Sequence, residues 1–137
     1  MQKITKIEII TRPEKMEALK KAMNAIRVTG MTVSQVYGCG LSHGYTEVYR
    51  GQRVAMNLLP KIKMEVVVCD VPVETVIAAA RKVCCTGEVG DGKIFVLPIE
   101  NAIRIRTGEE GPDAIIDRLE DIKIVNEKVR ASREDDE

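Results

Sequence analysis

The hydrophobic pattern divides the chain into two similar halves and a tail. Ile4 to Thr11 is dense in β-branched residues and stops at Arg12-Pro13, where proline suits a first helical turn and Glu14 suits the positive end of a helix. A strand running directly into a helix is predicted. In the next stretch Met16, Leu19, Met23 and Ile26 recur at helical spacing while Lys15, Lys20 and Lys21 occupy other faces, until Thr29-Gly30 ends the pattern. Met31 to Val36 reads as a second strand. Lys61 to Cys69 reads as a third, with Met64, Val66 and Val68 alternating against Glu65 and Val67, and a long polar loop spanning 40–58 joins the two. Asp70 to Pro72 opens a second helix, Val73 to Cys84, which stops at Thr86-Gly87, and Lys93 to Leu97 is a fourth strand ending at Pro98.

The halves match in kind: strand, proline at the helix start, helix, Thr-Gly, strand. Pro13 to Gly30 and Pro72 to Gly87 are comparable spans. Two such units in series predict an α+β fold, the ferredoxin-like β-α-β-β-α-β sandwich of four antiparallel strands under two helices. Helices cover only one face of such a sheet. Runs such as Val66-Val67-Val68 lead to the expectation that the other face is apolar and is buried against a second copy of the chain.

The tail carries a different period. Ile115, Leu119, Ile122 and Val129 fall at 4-3-7 spacing with Asn126 in register, after Pro112 and Asp113 as a helix start. The division expected is a ferredoxin-like domain over 1–112 and a helical extension over 113–137, with Arg133 to Glu137 fraying as a charged tail.

Charge removes some function classes. The 137 residues hold 21 Lys+Arg and 21 Asp+Glu, so no net charge draws nucleic acid or an anionic membrane, and any phosphate site must be local. No apolar run reaches a membrane span, and the start, Met-Gln-Lys-Ile-Thr-Lys, lacks a secretory core; a cytoplasmic protein without membrane insertion is expected. Cys39, Cys69, Cys84 and Cys85 then read as small, mostly buried hydrophobes. Aromatic residues make up only 3%, yet Tyr37, Tyr45 and Tyr49 fall within one short stretch, which marks that stretch for recognition.

Two segments are glycine-rich, Gly38 to Gly44 and Thr86 to Lys93. Glycines let backbone N–H groups face outward and let phosphate oxygens approach, and Lys93 adds charge to the second segment, but neither is a Walker motif or a dinucleotide fingerprint and each alone reads first as a tight turn. Arg104 and Arg106, placed on one side of an extended segment by alternation, would complete a diphosphate or triphosphate clamp; a solvated basic edge is the plainer alternative. His43 is the only histidine and has no triad partner near it, so an enzyme is not the leading class.

Several strings together carry a family resemblance. Gly30-Met31-Thr32-Val33, the loop from Gly44 to Gly51, Leu59-Pro60-Lys61, Thr86-Gly87 through Gly90-Asp91-Gly92-Lys93-Ile94-Phe95-Val96, and Arg104 to Glu109 resemble, in order and spacing, the P-II nitrogen-regulatory signalling proteins. The resemblance spans about residues 3 to 115. It implies a homotrimer that binds ATP or ADP in clefts between subunits, with 2-oxoglutarate beside ATP and Mg2+, and whose long loop regulates an ammonium transporter or a nitrogen-metabolism enzyme.

Carried over by position, the resemblance implies that Gly90, Asp91, Gly92 and Lys93 cradle the phosphates, with Arg104 and Arg106 reaching in from the neighbouring subunit. Ile10, Gly30, Met31, Thr32, Glu65, Val67 and Thr86 would line the adenine and ribose pocket, and Gly38 and Gly40 would present backbone to the nucleotide. Lys61, with Ser42, would meet 2-oxoglutarate. Tyr45, Glu47, Tyr49 and Arg50 would form the partner-binding part of the loop, with Arg50 entering a transporter pore. Leu41 and Ser42 depart from the family's usual Arg and Gln, and a serine oxygen is too short to replace the Gln carbonyl that ligates Mg2+. Val54 stands where some members carry a uridylylated tyrosine, so control by that modification is not expected. The competing readings are an adenylate-only sensor with a different partner, a slow ATPase, and a redox or metal-binding relative using the cysteines.

Overall fold

A computed structural model describes residues 2–39, 48, 49, 52, 53, 58–117 and 119–136. Strand β1 (Ile4–Thr11) is followed by a 3-10 turn (Pro13–Lys15) and helix α1 (Met16–Ala25), then β2 (Met31–Gly38). A short antiparallel pair, β3 (Val48–Tyr49) with β4 (Gln52–Arg53), lies within what the sequence presents as loop. Then come β5 (Leu59–Val68), α2 (Val73–Cys84) and β6 (Lys93–Ile99). The chain forms two compact units, Met1–Ile99 and Glu100–Glu137.

In the first unit the sheet order is β2-β5-β1-β6, every pair antiparallel, as the ferredoxin-like pattern requires. Its helix-covered face is set by alternation: Ile7 and Ile9 on β1, with Ile62, Met64, Val66 and Val68 on β5, are buried. Leu19 and Met23 from α1 and Val76, Ala80 and Cys84 from α2 close over them.

The other face differs from the expected apolar surface. Of Val66-Val67-Val68 only Val67 points there, and beside it stand Lys6, Glu8, Lys63 and Glu65. Glu8 and Glu65 pair directly across β1 and β5, a repulsive juxtaposition relieved by lysines. Lys6 lies 3.1 Å from Glu8 and 3.9 Å from Glu65, and Lys63 lies 3.6 Å from Glu65. Hydrogen bonding to Lys6 lowers the Glu8 carboxyl below its ordinary pKa. Ile10, Phe95 and Leu97 share this face, so it is mixed rather than apolar.

Helix ends also depart from the sequence signals. Pro13 starts a 3-10 turn rather than α1 itself, and α1 ends at Ala25, before Thr29-Gly30, because Arg27 takes a left-handed conformation (φ 67°). Pro98 lies inside β6 rather than ending it, which an edge strand tolerates. The cysteines are not mostly buried: Cys84 is, Cys69 is half-buried, and Cys39 and Cys85 are exposed. Burial pushes the Cys84 and Cys69 thiols upward in pKa.

In the second unit Pro112 and Asp113 form a 3-10 turn (Gly111–Ala114), and α3 (Leu119–Asp135) begins later than the sequence suggests. Arg133 to Asp135 continue this helix instead of fraying, since that stretch holds neither Gly nor Pro. Among the described residues no helix is long and apolar enough to cross a membrane.

Met64 is fully buried on β5, the strand between β2 and β1. Met64→Ala is expected to cost about 2–5 kcal/mol of stability. The check is a urea titration, with a lowered midpoint and an unchanged slope.

Candidate functional site

The turn from Thr86 to Lys93 is built around one carboxylate. Asp91 accepts hydrogen bonds from the Thr86 hydroxyl, from the Thr86 N–H at 2.8 Å and from the Gly87 N–H at 3.0 Å. The Arg12 guanidinium stands 3.5 Å away. These bonds, led by that of the Thr86 side chain, hold the Asp91 carboxyl at about 2, below its ordinary 3.8. The carboxylate therefore shapes the turn; pointed at a phosphate it would repel it.

Three side chains, from β1, from the residue just after it and from β5, fasten the same turn from outside. The Thr11 hydroxyl donates to the Asp91 carbonyl (2.8 Å), Arg12 donates to the Val89 carbonyl (3.0 Å), and the Lys61 ammonium donates to the Gly90 carbonyl (2.7 Å). Carbonyls are thereby drawn back to the body of the unit. Gly90 and Gly92 adopt φ of 102° and 108°, the left-handed range that favours glycine. At Gly92 a Cβ would lie 1.8 Å from the Ile10 carbonyl oxygen, so no side chain fits where the turn meets β1. Lys93 follows at once, paired with Ile10.

Thr11 and Arg12 are missing from the sequence-based set. Their partners lie 77 to 80 positions along the chain, so no local motif joins them. Beside the turn, a cavity of about 330 Å3 runs between α2 and β6, lined by Ile77, Arg81, Cys84, Gly92, Lys93 and Ile94 among others.

The nominated residues of the first unit fall into two groups. Ile10, Gly38, Lys61, Thr86 and Gly90 to Lys93 gather at the end where β1 finishes and β5 begins. Gly30, Met31, Thr32, Glu65 and Val67 gather where β2 begins and β5 finishes, with Thr32 paired to Glu65. At ~3.3 Å per residue, Lys61 and Val67 are roughly 20 Å apart along β5. The outer members of the two groups therefore lie at opposite ends of β5. Gly40, Ser42, Tyr45, Glu47 and Arg50 lie outside the described residues, as does the side chain of Tyr49.

Arg104 and Arg106 sit in the second unit, and their segment is not extended. The Gly108 N–H donates to the Arg104 carbonyl (2.8 Å) and the Arg104 N–H to the Glu109 carbonyl (2.8 Å), which makes residues 104–108 a tight turn. Asn101 braces its base, accepting from the Ala102 and Gly111 N–H groups and donating to Glu110. Alternation therefore does not orient the two guanidiniums; the turn does, and both line one cavity of about 360 Å3. Among the described residues no cluster of metal-ligating side chains forms.

The first unit is thus a four-stranded ferredoxin-like sandwich whose glycine turn abuts its first strand. The sequence comparisons agree: the family profile "Nitrogen regulatory protein P-II" matches residues 4–109. A nitrogen regulatory PII-like protein of Bacillus subtilis is 51% identical over 110 residues, covering 80% of this chain and 95% of the relative. A nitrogen regulatory protein P-II of Azospirillum brasilense is 47% identical, covering 80% and 98%. Among solved structures, B. subtilis GlnK superposes with a TM-score of 0.71 at 50% identity, over 82% of this chain and 98% of that one. The B. subtilis GlnK–ATP complex superposes with 0.70 at 46% identity, over 82% and 97%. The chain belongs to the P-II family of nitrogen regulatory signalling proteins.

Two expectations follow from the turn. Because the Thr86 hydroxyl is the largest cause of the low Asp91 pKa, Thr86→Ala should move the carboxyl's NMR titration midpoint from about 2 up toward 3.8. The sign is that of a depressed acid: the contribution of Asp91 to the turn is complete above pH 3.8 and is lost as pH falls toward 2. Gly92→Ala should shift the amide resonances of Ile10 and Thr11 and lower the melting temperature, whereas Gly30→Ala, with open space at its Cβ position, should not do so through a clash.

Proposed function

We propose that the protein is an adenine-nucleotide sensor that acts as a homotrimer, each nucleotide held between two chains. One chain supplies the backbone of Gly90 and Gly92 together with Lys93 to the phosphates, and Ile10 and Gly38 to the base and sugar. Its neighbour supplies Gly30, Met31, Thr32, Glu65 and Val67, and the phosphate-directed Arg104 and Arg106. The observation that carries this reading is the separation of the two groups along β5, which asks for a second copy. The ATP in the solved B. subtilis GlnK complex supports the choice of ligand.

The mixed free face suits such packing, with Ile10, Val67, Phe95 and Leu97 beside paired rather than isolated charges. Loop residues Tyr45, Glu47, Tyr49 and Arg50 then address the partner, an ammonium transporter or nitrogen-metabolism protein. In this arrangement nucleotide occupancy reports through the loop, and the protein signals without turning over its ligand.

Lys61 is the residue to follow for 2-oxoglutarate. A carboxylate binding there would exchange the bond to the Gly90 carbonyl for an ion pair, coupling the second ligand to the phosphate turn. Against it stands Ser42, which cannot reach as Gln does to complete a Mg2+ site; an adenylate-only sensor is therefore the second reading.

Calorimetric titration with ADP, then ATP with Mg2+, each with and without 2-oxoglutarate, separates these readings. Saturable binding of both nucleotides is expected, and Arg106→Ala should weaken it by about 1.5–3 kcal/mol if the guanidinium makes charged hydrogen bonds to phosphate. Tighter ATP binding with 2-oxoglutarate present identifies the dual sensor; no change identifies the adenylate-only one. Absence of nucleotide binding contradicts both.

A further inference from the structure

The matched relatives account for 110 residues of this chain and the family profile stops at 109, so α3 (Leu119–Asp135) lies beyond the profile. The helix does not stand apart from the turn that carries the two arginines. Arg104 and Arg106 line the 360 Å3 cavity together with α3 residues that include Ile122, Val125, Asn126 and Lys128. Among the described residues the cavity lining includes three cationic side chains, Arg104, Arg106 and Lys128, and one acid, Asp117, while Arg104 also stands 4.0 Å from Glu109.

The path into α3 is tied to the same arginine. The Arg104 guanidinium donates to the Asp113 carbonyl (3.3 Å) and to the Ile116 carbonyl (3.1 Å), the backbone that leads to the helix. Placement of Arg104 and placement of the start of α3 are therefore linked by hydrogen bonds. Two guanidiniums and an ammonium lining one partly enclosed space, with an amide side chain among them, suit a multiply charged phosphate group.

We propose that α3 supplies a third cation, Lys128, to the arginine half of the phosphate site, so that the extension is a ligand-binding element of this chain. The inference rests on the nucleotide-sensor reading, because it takes the anion to be the polyphosphate tail of the nucleotide. Lysine acts here as a point charge and adds more to the triphosphate than to the diphosphate, so the extension biases the sensor toward ATP. Asn126 contributes a hydrogen-bond donor that does not depend on charge.

The test uses the full-length protein and calorimetric titration with ATP and with ADP. Lys128→Ala should weaken ATP binding by about 3- to 10-fold and ADP binding by less, as expected for a partly exposed cation facing phosphate. Lys128→Arg should restore it. Lys123→Ala, which removes an α3 lysine that does not line the cavity, should leave both affinities unchanged. Circular dichroism of each variant shows whether α3 is retained. If the unmodified protein binds nucleotide and Lys128→Ala, with α3 retained, matches it for both ligands, the role of α3 is overturned and the sensor reading stands. Equal losses for Lys128→Ala and Lys123→Ala also overturn it, since the effect would then be general charge. If the unmodified protein binds neither nucleotide, the sensor reading fails and this inference fails with it.

Discussion

The site depends on Gly92 lying against the backbone of Ile10. β6 pairs with β1 from the Ile10–Lys93 position onward, so the turn that precedes β6 must pass over the end of β1 with no room for a Cβ. Once that approach is made, the remaining contacts fall into place: Thr11 and Arg12 continue from β1 and hold the Asp91 and Val89 carbonyls, and Lys61 reaches from β5 to Gly90. Asp91 then closes the interior of the turn through Thr86 and Gly87. The N–H groups of a glycine turn are useful to an anion only while its carbonyls are engaged elsewhere, and here three carbonyls have named partners.

Much of the fold was legible in the sequence because two periods dominate it. The alternation of Met64, Val66 and Val68 and the helical recurrence of Leu19 and Met23 both point at the core, and all five are buried. The repeated order of strand, proline, helix and strand set the topology that the sheet displays. What alternation could not supply was the chemistry of the free face: Val66-Val67-Val68 suggested an apolar surface, but one of the three faces that way and its neighbours are charged. Short-range rules also missed ends governed by backbone geometry, such as Arg27 closing α1 ahead of Thr29-Gly30.

The site was legible as residue types and not as contacts. Gly90, Gly92 and Lys93 stood out as a glycine-rich stretch ending in lysine, but such a stretch alone reads first as a tight turn, and the family resemblance supplied the phosphate role. The part played by Asp91 could not, since a carboxylate beside glycines reads equally as ligand contact or internal brace, and only its bonds to Thr86 and Gly87 decide. Thr11 and Arg12 were invisible for lack of any local signal. Alternation suggested one side for Arg104 and Arg106, but the chain does not alternate there; the turn at 104–108 brings both to one cavity instead.

On the proposed reading the ligand site belongs to two chains, because Lys61 and Val67 mark opposite ends of one strand. Complementation between defective chains tests this most directly. Lys93→Ala and Arg106→Ala chains, each weakened for nucleotide alone, are co-expressed with different tags, and the mixed trimers are isolated and titrated with ATP. Mixed trimers are expected to regain a fraction of sites with the unmodified protein's affinity, since some clefts take Lys93 from one chain and Arg106 from another. Mixed trimers with no high-affinity site would place both residues in one chain's own pocket and contradict the two-chain site.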